Sequence, residues 1–252
     1  MNSNRKIAII AGVLVIIGMV AGVLSIVSVI EDPDYLIKVS ANENQVLIGA
    51  FFQFIMIPAY IGFALSLYPI LRKYNEGLAL GFVGFRIIAG MFHLIGVIIL
   101  PLFLILSQEF IKAGAPYSSY FQTLGGLLRT GRDLVNHVAM ILALSLGGLM
   151  FFYVLYQSKL VPRWLSGWGF AGTTLTILAS LLLLFRLIDV MTPIYMVLNL
   201  PLALQEMVLA VWLIVKGFNP SAIAYDSAFA AQIMLRNGRN KKGKRVSLKA
   251  SI

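Results

Sequence analysis

The chain has no cysteine, only two histidines and few charged residues, the last making up 12% of its 252 positions. Without thiols there is no disulfide, no thiolate nucleophile and no Cys-type zinc or iron–sulfur site. With so few charges beside 60% hydrophobic residues, the balance of a soluble globular domain is missing too. Motifs of familiar chemistry are equally scarce. No G-x-S-x-G supports a hydrolytic triad, and no H-E-x-x-H supports a zinc peptidase. Gly125, Gly126 and Gly131 match neither a phosphate loop nor a dinucleotide-binding pattern. No internal repeat emerges, which counts against the inverted-repeat plan of secondary transporters. No metal and no cofactor is expected.

What the chain does have is long apolar runs. A spanning helix needs about 20 mainly apolar residues, and six windows meet that length: 7–30, 47–71, 78–106, 134–157, 165–186 and 191–217. The predicted fold class is all-α, a six-transmembrane-helix bundle over residues 1–220 with a basic flexible tail over 221–252. Arg5 and Lys6 precede the first run as in a secretory signal. That run is far longer than a signal core and lacks an A-x-A-like exit, so it is expected to be retained. Gly18 and Gly22, four residues apart, let the first helix pack closely on a neighbour. Pro58, Pro69, Pro101 and Pro201 fall in or near spans and can kink them.

Positive residues gather on one side of this map. Arg5, Lys6, Arg72, Lys73, Lys159, Arg163 and Lys216 share a side with the basic tail, while the opposite loops hold Glu31, Asp32, Asp34, Glu43, Glu109 and Asp189. Cytoplasmic loops carry the excess of Lys and Arg, so both termini are expected in the cytoplasm. Ser107 to Arg132 reads as an amphipathic outer loop, partly helical in the headgroup plane. The tail's Lys and Arg cluster could meet anionic lipid; no specific nucleic acid partner is expected.

Ionisable groups inside a span are costly and mark candidate sites. Arg86 lies ten residues beyond Glu76, and Glu206 ten residues before Lys216. Both then sit at roughly 15 Å depth in straight helices, and an intramembrane ion pair between them is expected. A seven-residue spacing, which returns to one helix face, pairs Gln53 with Tyr60, Arg86 with His93 and Asn199 with Glu206. Tyr60, Arg86 and Glu206 form an inner layer on this reading, and Gln53, His93 and Asn199 an outer one. Arg129, Asp133 and His137 follow at four-residue steps along one face of the fourth span. With His93, His137 could form a vestibule open to the outside. The plain alternatives are a structural ion pair and, for Asp133, a capping role at a helix start.

Several segments carry a family likeness: Ser40 to Leu47, Arg72-Lys73-Tyr74-Asn75-Glu76, Gly84-Phe85-Arg86 and Gly131 to His137. Over about residues 5–220 the chain resembles the DUF4386 family, a domain of unknown function. The resemblance implies a bacterial multi-pass membrane protein and no catalytic role. The basic tail departs from the family pattern.

The reading that follows is a protein of the bacterial cytoplasmic membrane whose polar cavity binds or transports a small solute or lipid-like molecule. An intramembrane enzyme acting on a lipid or prenyl substrate, with His93, Asp133, His137 and Glu206 as acid or base, is the alternative. A membrane interaction partner with a structural polar core is the third. Membrane lipids are the expected surroundings, and the oligomeric state stays open.

Overall fold

The computed structural model describes residues 3–114 and 118–223, and among these no strand occurs. Eight helices follow in order: α1 (Ser3–Leu24), α2 (Tyr35–Ala41), α3 (Glu43–Leu71), α4 (Glu76–Ala113), α5 (Ser118–Asp133), α6 (Met140–Ser158), α7 (Arg163–Leu184) and α8 (Pro193–Val215). Six helical stretches are long and apolar enough to cross a membrane: α1, α3, α4, the unbroken run Ser119–Ser158 through α5 and α6, α7 and α8. The protein is a multi-pass membrane protein. Its outward surface fits that solvent, with Phe51, Met91 and Val197 each more than 60% exposed on the spans. Hydrocarbon offers no partner to backbone amides, so the helices run on through Pro58, Pro69, Pro101 and Pro201.

Local chemistry sets the helix ends. The Asn75 side chain caps α4 by accepting from Leu78 N at 3.0 Å. Thr192 caps α8, with Pro193 in the first helical position where no amide donor is needed. Gly114, at φ 72°, ends α4 in a backbone region that suits glycine.

Each spanning helix packs on the next in chain order, and α1 closes the ring on α8. Small residues permit the closure. Ala8, Ala11, Gly12, Val15, Gly18 and Ala21 form the buried stripe of α1. A Cβ on Gly12 would lie 2.6 Å from Ala210 O on α8, and one on Gly18 would lie 3.1 Å from the Tyr60 ring on α3. Arg5 then donates to the last carbonyls of α8, to Leu213 O at 3.0 Å and Val215 O at 3.1 Å, and also to Ile214 O. A cation there complements the negative end of the helix dipole. Phe218 is buried in the main core, and Asn219 N donates to Leu160 O at 2.8 Å, so the chain stays on the bundle past α8. The basic cluster from Arg236 to Lys249 lies outside the described residues.

The far end of the bundle departs from the sequence reading. Among the described residues, Ser107 to Arg132 is helical apart from Gly114: α4 continues to Ala113, and α5 runs without a break into α6. With 38 residues, α4 is about 57 Å long and projects past a hydrocarbon core of about 30 Å. What holds the projection is α2, in the segment read as an acidic loop. Fully buried Ser107 donates to Leu36 O at 2.5 Å and accepts from Ser40 N at 2.9 Å. Tyr35 packs edge-on to Phe103, donates to Gln122 O at 3.2 Å and fills the space left by Gly125 on α5. Val27, Ile30, Val39, Val46, Leu100 and Leu104 complete a small second core. Beside it, on the surface, Lys38 bonds Asp32 and holds its carboxyl below the usual carboxylate range.

Candidate functional site

Charged side chains from opposite walls of the ring meet in its interior. Arg86 on α4 and Glu206 on α8 approach to 3.8 Å between Nη2 and Oε1, although these helices are not ring neighbours. The guanidinium also lies 5.5–5.6 Å from the ring centroids of Tyr60, Phe63 and Phe82. Aromatic faces attract a cation in a water-poor site, so the charge is held by one carboxylate and three rings. Phe63 and Phe82 are themselves fixed by Phe151, which stacks on Phe82 at 4.7 Å.

Beside this pair is a chamber of about 230 Å³ bordered by Tyr60, Arg86, Asn199 and Glu206, with Ser145, Thr173 and Thr176 from α6 and α7. Ile141, Leu144, Phe152 and Leu202 make the rest of its wall mostly apolar. Few polar groups in an apolar concavity are the usual make-up of a small-molecule site. Arg86 Nε and Thr176 Oγ1 are buried and have no hydrogen-bond partner among the described residues. Buried polar atoms are nearly always paired with protein, water or ligand, so both stand out beside the chamber.

A larger vestibule of about 510 Å³ lies toward the α2 end. Gln53, His93, Arg132, Asn136 and His137 border it, with Glu31 and Ser25. Gln53 Oε1, His93 Nε2, Arg132 Nε and Asn136 Oδ1 are buried without partners among the described residues. Met56 and Met140 border both cavities and form the septum between them.

A π turn over Leu134–Ala139 shapes this vestibule. Its wider winding shifts His137 off the four-residue ladder expected from Arg129 and Asp133, which both lie in α5. Arg129 instead pairs with Glu31 at 2.5 Å, and Arg132 reaches Glu31 at 3.8 Å. Asp133 lies 4.0 Å from Arg132, away from the vestibule lining. His137 Nδ1 is 2.9 Å from Tyr195 Oη, while Ser180 donates to His137 O at 2.8 Å.

The structure thus brings Tyr60, Arg86 and Glu206 together around one chamber and Gln53, His93 and His137 around the other. Asn199 departs from its expected layer. Its amide donates to Tyr195 O at 2.8 Å and it borders the Arg86 chamber, not the vestibule. Gln205, next to Glu206, points another way and ties α8 to Leu165 O at 3.1 Å.

Sequence reasoning passed over Ser145, Thr173, Thr176, Asn136 and Glu31. For α7 a signal existed: Ser166, Thr173, Thr176 and Ser180 are buried at spacings of seven, three and four, a polar stripe down one helix face. Among the described residues no three His, Asp or Glu side chains converge as metal ligands. No curated protein and no solved structure matches the chain. A family profile does, along most of its length and across both cavities. From residue 10 to residue 217 it is described as a domain of unknown function, DUF4386, and the chain belongs to that family.

Proposed function

We propose that this protein holds a small amphipathic molecule, a solute or a lipid-like compound, in the chamber beside Arg86 and Glu206. The observation that carries this reading is that the ion pair faces an apolar-walled space instead of packed side chains. A guest with a hydroxyl or carbonyl head meets the chemistry there. The Arg86 guanidinium donates to an oxygen, Glu206 accepts, and Thr176 does either. Its apolar body fits beside Leu144, Phe152 and Leu202.

The setting that goes with this reading is a bacterial cytoplasmic membrane with both termini in the cytoplasm. At the α2 end Lys38, Lys112 and Arg129 are each paired with an acidic residue. Counted as Lys and Arg alone, that end also has Arg132 and Arg186, against Arg5, Lys6, Arg72, Lys73, Lys159, Arg163 and Lys216 at the other end, and this excess supports that orientation.

The test is to purify the protein in mild detergent, extract it with organic solvent and identify co-purified small molecules by mass spectrometry. One amphipathic species retained by the wild type and lost from Thr176→Leu, which fills the chamber without touching the ion pair, is the expected result. Equal recovery from both overturns the reading.

One observation favours a second reading, an intramembrane enzyme for a lipid or prenyl substrate: both histidines of the chain border the same vestibule. His93 and His137 would then be its acid and base. A membrane lipid profile that is identical with the wild type and with His137→Gln removes it.

A further inference from the structure

Helices α1 and α8 meet at the Arg5 end of the bundle and part toward the α2 end. Near Arg5 they touch: a Cβ on Gly12 would lie 2.6 Å from Ala210 O, and Val15 borders the same small space as Glu206 and Leu209. Further along, α1 turns to α3. A Cβ on Gly18 would meet the Tyr60 ring at 3.1 Å and one on Gly22 the Met56 methyl at 3.4 Å, so the nearest neighbours of both belong to α3. The matching face of α8 is left uncovered. Asn199, Ala203, Glu206 and Ala210 follow at steps of four, three and four along one helix face. Ala210 is fully buried, whereas Ala203 is exposed and the Glu206 side chain is 26% exposed. Asn199, Ala203 and Glu206 all border the Arg86 chamber, whose walls among the described residues come from α3, α4, α6, α7 and α8 and not from α1. The chamber therefore opens sideways, between α1 and α8. Val20 and Val23 on α1 and Leu200 and Leu204 on α8 are exposed and apolar, so the opening faces hydrocarbon.

We infer that the guest of the chamber is an uncharged lipid with a hydroxyl or ester head, of the class of long-chain alcohols and monoglycerides, taken in from the bilayer between α1 and α8. The inference rests on the chamber reading above and narrows its choice between solute and lipid. Size supports it. The chamber holds about 230 Å³, less than the roughly 300–1,000 Å³ of pockets that enclose a whole drug-sized ligand. A longer guest keeps its head inside and its chain in the opening. Charge selects the head. Arg86 and Glu206 together carry no net charge, and a further ion brought into this water-poor space loses its hydration and faces one like charge. A hydroxyl or ester loses less, and Arg86 donates to it while Glu206 and Thr176 accept from a hydroxyl. A water-soluble solute has another route, through the vestibule and past the septum of Met56 and Met140, and makes no use of the gap beside Ala203.

The competing account is a surface groove filled by ordinary bilayer lipid without regard to its head. To separate the two, the full-length protein is reconstituted in phosphatidylcholine vesicles with a monoglyceride that carries a diazirine on its hydrocarbon chain. The vesicles are irradiated, and the attachment sites are mapped by mass spectrometry. Label is expected on α1 around Gly22 and on α8 around Leu200, and excess unlabelled monoglyceride should displace it. Thr176→Leu should cut the labelling there by about tenfold, as a side chain that overfills an occupied space does. Ala203→Trp, at an exposed position where the added ring does not disturb the core, should lower it as well by blocking the opening, and serves if Thr176→Leu fails to fold. Labelling that competitor and both variants leave unchanged is boundary lipid and overturns the inference. Labelling that Thr176→Leu removes but that maps to Gln53, His93 or Asn136 overturns it too, since the guest then enters by the vestibule, and the chamber reading stands. The co-purification test decides that reading separately.

Discussion

Asn136 sits in space that exists because residue 96 is glycine. Any Cβ at Gly96 on α4 would overlap the Asn136 carboxamide, which the π turn between α5 and α6 presses against α4. Gly96→Ala should therefore destabilise the bundle by overpacking, by about 1–3 kcal/mol. Adding Asn136→Ala to Gly96→Ala should restore much of the loss, because the clashing group is gone. Thermal unfolding of the three variants in detergent checks this. A double variant no more stable than Gly96→Ala alone would mean that the two residues do not share that space.

The Arg86–Glu206 pair leads to an ordering of three variants. Removing one member of a buried pair leaves the other unpaired at a cost of about 3 kcal/mol or more, whereas replacing both with apolar groups removes the desolvation penalty as well. Arg86→Met and Glu206→Met alone should therefore each lower stability more than the double variant Arg86→Met, Glu206→Met. The aromatic rings around Arg86 soften the cost of losing Glu206 without cancelling it. Reversible unfolding in mixed micelles gives the comparison, and strictly additive single-variant losses would show that the two charges act independently.

The spans were legible in the sequence because lipid imposes one pattern, a long apolar run, on anything that crosses it. Arg86 and Glu206 could be set at one level by counting from Glu76 and Lys216, since helix rise is constant. The α2 end obeys no such rule. Ser107 reads as a loop residue until Leu36 and Ser40 appear as its partners, and no local signal announces those contacts. Asn199 was assigned by helix spacing alone, which fixes a face but not the neighbour that face meets. The π turn at Leu134–Ala139 likewise shifts register without a distinctive residue pattern. The ring of aromatics around Arg86 was hidden because Phe63 and Phe82 are ordinary core residues until α3 and α4 bring them together.

Arg5 links the two ends of the chain's spanning region. Its guanidinium bonds the carbonyls of Leu213, Ile214 and Val215, closing α1 on α8 at the ring seam. Arg5→Ala should cost about 1 kcal/mol and act locally. Amide hydrogens in the last turns of α8 should exchange faster while those of α4 and α6 keep their protection. A uniform increase across all helices would indicate a general loss of stability, not an opened seam.

The absence of cysteine makes the orientation directly testable, because any introduced thiol is the only one in the chain. Asp34 and Gln157 are exposed at opposite ends of the bundle, so Asp34→Cys and Gln157→Cys report the two sides. In intact bacterial cells a membrane-impermeant maleimide should label Asp34→Cys and leave Gln157→Cys untouched until the membrane is opened. The reasoning rests on charge: Arg72, Lys73, Lys159 and Arg163 lie at the Gln157 end, and short loops rich in Lys and Arg resist translocation. The reverse labelling pattern would put the vestibule containing His93 and His137 on the cytoplasmic side, and any ion or solute entering it would then come from within the cell.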